Sequence, residues 1–219
     1  MADTRIRVWD PLVRLFHWSL VATFTVAYFT GEEDSLVHIW SGYAVIGLVV
    51  FRIVWGFIGT RHARFGDFLY SPARTVQYLK SLVTRQPESY LGHTPAGGWM
   101  ILLLLGAVLV TSLTGIKVYG LEGYGPLAAG GPAVTVVAVA RADDEAYERE
   151  HEHEENGEGD EGGEGNAAEE FWEELHEFFA NLTVLLIFVH VAGVIVTSAI
   201  HRENLVKAML TGYKRGQQE

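Results

Sequence analysis

Four long apolar stretches alternate with polar segments along the chain, and each is long enough to cross a bilayer. The hydrocarbon core of a membrane requires roughly 20 residues of helix. The pattern predicts transmembrane helices at about 12–29, 38–59, 97–116 and 174–200. Because no internal repeat is present and most of these segments follow one another closely, we expect an all-α membrane protein built as a four-helix up-down bundle.

Two connections between these helices are long. Within residues 60–96, the segment SPARTVQYLKSLV predicts a short amphipathic helix, with Ser71 as its cap and Pro72 in its first turn. This helix is basic, and we expect it at the membrane surface. The second connection, at about 121–167, is an acidic low-complexity insert that lacks the apolar residues of a core, so we expect it to be disordered.

Charge is distributed unevenly. Residues 141–177 hold 17 of the 27 acidic residues, whereas the remainder of the chain is mildly basic. This pattern excludes a nucleic-acid binder, because the excess charge is negative and local. Basic residues precede the first helix, follow the fourth and fill the loop between the second and third. By the positive-inside rule, both termini are cytoplasmic and the acidic insert is periplasmic.

Metal chemistry must come from histidine, because the chain has no cysteine. Disulfides, iron–sulfur clusters and covalently attached c-type haem are therefore excluded. Four of the nine histidines lie within or at the ends of the predicted spans, where an unpaired ionisable group is costly. These candidate metal ligands are His17, His38, His176 and His190.

The predicted topology sorts these histidines into two levels. His176 and His190 lie 14 residues apart, so they share one face of the fourth helix, about 21 Å apart along its axis. His38 then lies near the level of His176, and His17 near that of His190. Two facing imidazoles are what bis-histidine ligation of a haem iron needs. A structural hydrogen bond to a neighbouring helix is the alternative role for each histidine taken singly.

Other residues near these levels are candidates for cofactor contacts. Gly42 and Gly193 remove side-chain bulk close to His38 and His190, where a porphyrin would lie against a helix. Arg14 and Arg52 are either membrane-interface anchors or partners for haem propionates.

Several motifs resemble those of bacterial membrane cytochromes b561 and nickel-hydrogenase cytochromes b. The matching segments are RLFHW, HIWSGY, RIVWGFIGTRHARF, GHTPAGGWM and HVAGVIVTSAIHRENLVKAMLTGYKR. The resemblance covers the chain except for about 121–168. It implies four ligand histidines on helices one, two and four, and two non-covalent b-type haems. It also implies a cytochrome b domain formed by residues 1–120 and 168–219, in the bacterial inner membrane.

The same resemblance implies electron exchange between membrane quinone and a redox partner, as the cytochrome b subunit of a larger complex. A freestanding quinol oxidoreductase is the alternative within this class, and a divalent-metal transporter is the alternative outside it. His62, His93 and His201 are candidates to bind the quinone. The acidic insert is either a plain solvated linker or an arm that attracts a basic partner such as a c-type cytochrome. His151 and His153 within it offer a weak metal site at most.

Overall fold

The computed structural model describes residues 5–31, 35–84, 88, 90, 92–128 and 162–215. Within these ranges the fold is helical apart from two three-residue strands. In chain order the elements are β1 (Arg5–Arg7), α1 (Pro11–Phe29), α2 (Leu36–Ile58), a 3-10 turn (Arg61–Ala63), α3 (Phe65–Phe68), α4 (Pro72–Val83), α5 (Pro95–Leu121), α6 (Gly162–His201), α7 (Leu205–Thr211) and β2 (Tyr213–Arg215).

The four predicted spans are confirmed as α1, α2, α5 and α6, each long and apolar enough to cross a membrane. Two of them extend further than the apolar pattern predicts. α5 continues to Leu121, and α6 begins at Gly162, inside the segment predicted to be insert. A helix is not obliged to stop at the membrane surface, and the Glu- and Ala-rich sequence before the fourth span favours helix in water.

Apolar side chains cover much of the outer surface of these helices. Leu15, Phe57, Phe188 and Ile195 are among the exposed large apolar residues. An exposed apolar surface of this extent is unfavourable in water and suits a lipid environment.

The interior contact between the spans is small and apolar. Val45 and Val49 of α2 pack with Val108 of α5, and Leu20 and Phe24 of α1 pack against this group. Between α5 and α6, the buried hydroxyl groups of Thr111 and Thr183 lie 3.4 Å apart within hydrogen-bond distance. Short side chains and an interhelical hydroxyl contact are typical of helix packing in membranes.

The predicted helix between the second and third spans is confirmed as α4. The hydroxyl of Ser71 accepts a hydrogen bond from the backbone N–H of Arg74, and Pro72 occupies the first turn. Before α4, the connection is fixed to α5: the indole N–H of Trp99 donates to the carbonyl of Tyr70 at 3.1 Å. The backbone of Phe68 also lies so close to Gly98 that a Cβ atom there would collide with it.

The two strands connect the segment before the first membrane span with the segment after the fourth. β1 precedes α1, β2 follows α7, and the two pair antiparallel with Ile6 opposite Lys214. Lys214 is buried, and its ammonium donates to the carbonyls of Tyr90 and Gly92. The segments before the first span and after the fourth therefore lie on the same side, which is called the strand side below.

Contacts divide the chain into two compact units, residues 1–112 with 179–219 and residues 113–178. Most of the predicted insert falls within residues 129–161, which lie outside the described residues. The predicted disorder of the insert and the predicted weak metal site at His151 and His153 therefore concern residues outside this description.

Candidate functional site

His17 on α1 and His190 on α6 lie within range of an electrostatic interaction. A charge on the His190 imidazole would act on one on the His17 imidazole. The Nδ1 atom of His17 is buried and has no hydrogen-bond partner among the described residues. A buried polar atom left without a partner costs about 1–3 kcal/mol. The pair therefore has the composition, the position and an unsatisfied nitrogen that suit a group bound between the two helices.

His38 is held in one tautomer by the neighbouring helix. Its Nδ1–H donates to the carbonyl of Ala27 on α1 at 2.8 Å. Because a carbonyl only accepts, the proton lies on Nδ1 and the lone pair on Nε2. Metal-ligating histidines commonly have this second hydrogen bond to a backbone carbonyl, which orients the ring and raises its basicity. Gly31 lies against the same ring: a Cβ atom at this residue would be 3.4 Å from Cε1 of His38.

Open space lies beside two of the predicted glycines. Gly42 follows His38 by one helical turn, on nearly the same face of α2, and a Cβ atom there would meet nothing within 4 Å. Gly193 on α6 is equally open. No protein atom therefore fills the space directly beside these two glycines, and the clearance for a flat ring system stays a prediction.

His176 lies against two residues of α5. Its Nδ1 is 3.1 Å from the hydroxyl of Thr114, and its ring touches Gly115 so closely that a Cβ would lie 2.8 Å from Cε1. This contact needs glycine at residue 115. His38 and His176 belong to different compact units, and their predicted pairing stays a prediction.

Arg14 has a structural partner. Its guanidinium donates to the carbonyl of Met209 at 3.2 Å and to that of Leu210, at the carboxyl end of α7. Gly212, in the left-handed conformation with φ 88°, ends this helix directly beside the guanidinium. A cation at a helix carboxyl end is favourable because the last carbonyls lack helical partners.

Arg52 is buried among aromatic rings. Only 3% of the residue is exposed, and its guanidinium carbon lies 5.0 Å from the ring centre of Phe65 and 5.9 Å from that of Phe68. Its Nη1 atom is buried and has no hydrogen-bond partner within the described ranges. Rings alone compensate a buried guanidinium only partly, so an anionic group would fit beside it.

His93 lies near Arg52 on the strand side. Its ring packs between those of Trp9, at 4.6 Å, and Phe68, at 4.5 Å, and its Nδ1 is buried without a partner among the described residues. Burial, followed by the nearby positive charges of Arg52 and Lys214, lowers the pKa of His93 to about 3. The imidazole is therefore neutral at physiological pH, and its buried nitrogen is a candidate hydrogen-bonding group.

The other two candidate quinone ligands differ in their partners. His62 Nδ1 lies 2.8 Å from a carboxylate oxygen of Asp67, so this ring is already engaged. His201, at the end of α6, has a buried Nε2 without a partner in the described part of the chain.

One group of acidic side chains has the spacing of a cation site. Glu122, Glu169 and Glu173 can bring one oxygen each to within 4.8 Å of one another. Among the described residues, no other group of three potential metal ligands lies at such distances, and this one contains no histidine. No histidine in the described part of the chain therefore belongs to a group of three potential metal ligands at such distances.

Several contacts at the site were missed from the sequence. They are the carbonyl of Ala27, the hydroxyl of Thr114, the missing side chain of Gly115, and the rings of Phe65 and Phe68 around Arg52. A threonine next to a glycine within an apolar span, as in TSLTGI, is a recognisable signal for close polar helix contact. A backbone carbonyl has no such signal.

Comparisons with known proteins agree with these features. The family model described as prokaryotic cytochrome b561 matches residues 8–212. A probable Ni/Fe-hydrogenase B-type cytochrome subunit of Rhizobium leguminosarum bv. viciae is 26% identical over 150 residues, covering 55% of this chain and 62% of that protein. A protein of the same name from Azotobacter vinelandii is 27% identical over 154 residues, covering 56% of this chain and 62% of that protein. The chain thus spans less than two thirds of the length of these curated relatives, and no solved structure matches it significantly.

Proposed function

The chain belongs to the prokaryotic cytochrome b561 family, and we propose that it carries electrons across the membrane through two b-type haems, each held by two histidines. The family implies membrane electron transfer and b-type haem; the number of haems, their ligands and the partners are the proposal. The observation that carries it is the buried Nδ1 of His17, which has no hydrogen-bond partner among the described residues and lies within electrostatic range of His190.

Haem iron supplies one-electron redox chemistry, and the protein supplies its ligands and surroundings. His17 and His190 are proposed to ligate one haem. His38 and His176 are proposed to ligate the other, with their Nδ1 atoms oriented by the carbonyl of Ala27 and the hydroxyl of Thr114. The lack of protein atoms within 4 Å of a Cβ atom at Gly42 supports the proposal that a flat macrocycle lies against α2 there.

Arg52 is the better of the two arginine candidates for a propionate. Its buried Nη1 lacks a partner among the described residues, whereas the guanidinium of Arg14 already donates to two carbonyls of α7. A propionate beside Arg52 would form a charge-assisted hydrogen bond and neutralise a buried charge.

A quinone is proposed to exchange electrons on the strand side, near His93. The neutral imidazole there has a buried nitrogen able to pair with a quinone carbonyl or hydroxyl. This side is proposed to face the cytoplasm, and the acidic insert the periplasm, of a bacterial inner membrane; the basic loops support this orientation by the positive-inside rule.

The redox partner is proposed to be a dehydrogenase subunit in a stable complex. The curated relatives are named as probable B-type cytochrome subunits of Ni/Fe-hydrogenase, which favours a hydrogenase for this role. A c-type cytochrome attracted by the acidic insert is the alternative partner. Copurification of a second redox polypeptide in mild detergent favours the subunit role, whereas quinol oxidation by the isolated chain favours a freestanding oxidoreductase.

Haem counting in single-histidine variants tests the ligand assignment. His17→Ala and His190→Ala should each remove the same haem, identified by its midpoint potential, and leave the other in place. His38→Ala and His176→Ala should each remove the second haem. His62→Ala is the matched control, because His62 is paired with Asp67, and it should retain both. Full haem content in a folded His17→Ala or His190→Ala variant would overturn the assignment.

A further inference from the structure

Helix α4 has a different chemical character on each of its three faces. One face packs on the protein, where Tyr78 is 3% exposed and its ring lies 5.7 Å from that of Tyr90. A second face is an apolar stripe whose residues are three and four apart and therefore align. The stripe consists of Val76 (51% exposed), Leu79 (48%) and Val83 (84%). The third face is polar and includes Gln77 and Lys80.

The start of α4 is fixed at the depth of a membrane-spanning helix. Tyr70, two residues before α4, accepts a hydrogen bond from the indole of Trp99 in the second turn of α5. Phe68 lies against Gly98 at the same level. Trp99 is the kind of residue that sits at the membrane–water boundary. The connection therefore holds α4 beside the end of the bundle and does not let it project into water.

Exposed apolar side chains are unfavourable in water, and at the depth of the membrane boundary lipid is available to bury the stripe. The spans before and after α4 in the chain, α2 and α5, also expose large apolar side chains, and in a membrane such side chains face acyl chains. Lys80 lies beside the stripe and forms no ion pair among the described residues, whereas Arg74 pairs with Glu88 at 3.5 Å. A cation bordering an inserted apolar face is complementary to an anionic headgroup.

We propose that α4 lies in the headgroup region of the leaflet on the strand side, with Val76, Leu79 and Val83 on the acyl chains and Lys80 on the phosphate of an anionic phospholipid. This role concerns attachment and depth of the bundle, and it is independent of haem ligation.

The absence of cysteine allows a direct test. Leu79→Cys and Val83→Cys each accept one fluorescent label on the stripe, and Gln77→Cys places the same label on the polar face as the control. The purified, haem-loaded variants are reconstituted into vesicles of phosphatidylethanolamine and phosphatidylglycerol with brominated acyl chains. Because an interfacial helix buries its apolar face in the acyl boundary, quenching by bromine should be about twofold or more stronger at residues 79 and 83 than at 77. Iodide in the water phase should show the reverse order.

Equal quenching at the three labels would overturn the insertion, since no partner protein is present to shield the stripe. The headgroup contact has its own test with Lys80→Gln in the Leu79→Cys background. Replacing phosphatidylglycerol by phosphatidylcholine should weaken bromine quenching at residue 79 in the parent, and Lys80→Gln should abolish that difference. Quenching that does not depend on the lipid charge in the parent would refute the role of Lys80.

Discussion

Substituting alanine for Gly115 should displace one proposed haem ligand without unfolding the bundle. Gly115 on α5 touches the imidazole of His176, and an added Cβ would lie 2.8 Å from its Cε1 and 3.2 Å from its Nδ1. Non-bonded carbon atoms prefer separations of about 3.5 Å or more, so the ring has to move by about 0.7 Å. Alternatively, the side chain of His176 rotates by about 30° away from its preferred rotamer, which costs about 0.5–1.5 kcal/mol.

Such a movement disturbs the ligand in two ways. It turns the coordinating nitrogen away from its place, and it breaks the alignment of Nδ1 with the hydroxyl of Thr114, now 3.1 Å away. Loss of a contact that orients a metal ligand weakens metal binding by about 10- to 100-fold. The Gly115→Ala variant should therefore purify with one haem largely missing, while the haem proposed for His17 and His190 stays bound.

Gly106→Ala provides the matched control in the same helix, because a Cβ atom there meets nothing within 4 Å. Both substitutions favour helix by up to about 1 kcal/mol, so neither should weaken α5 itself. Haem content from the pyridine haemochrome spectrum, together with a redox titration, measures the outcome. Full haem content and unchanged midpoint potentials in a folded Gly115→Ala protein would refute His176 as a ligand.

Three further perturbations test other parts of the structure. Arg14→Ala removes the cation at the carboxyl end of α7, so hydrogen exchange of the backbone amides in α7 should accelerate by about fivefold, corresponding to about 1 kcal/mol. Arg61→Ala, at an exposed side chain, is the control and should leave the exchange rate unchanged. Equal exchange rates in the two variants would contradict the role of Arg14 in holding α7. Burial in the folded protein lowers the pKa of His93 from 6.5 to about 3, so the unfolded chain binds a proton more readily and the stability of the fold falls as the pH drops from 6.5 towards 3. His93→Phe should therefore flatten the dependence of Tm on pH in this window. An unaltered slope would exclude His93 as the source of the dependence. Deleting residues 143–166 should slow electron transfer to a basic c-type cytochrome at about 0.01 M salt, where the screening length is about 30 Å, but not at about 1 M, where it is about 3 Å. Equal rates of the deletion variant and the parent at low salt would remove the steering role.

The sequence predicts the architecture well, because the membrane imposes strong rules on composition. The four spans and the capping of α4 by Ser71 follow from apolar length and turn chemistry, whereas the pairing of His17 with His190 stays a prediction from helical period. The extra turns of α5 and α6 escape prediction because hydropathy marks where lipid ends and not where a helix ends. The surroundings of Arg14 and Arg52 escape it for another reason: a basic residue near a helix end satisfies the positive-inside rule whichever partner its guanidinium later meets.

The ladder between β1 and β2 has a consequence for biogenesis. β1 leaves the ribosome before any span, yet its partner strand is made only after the fourth has been inserted. A chain with one inverted or skipped crossing would leave the two strands on opposite sides of the bilayer, where they cannot meet. The ladder, and the contact of Arg14 with α7 beside it, therefore cannot form in a molecule that has missed a single crossing, and they distinguish a complete topology from that error.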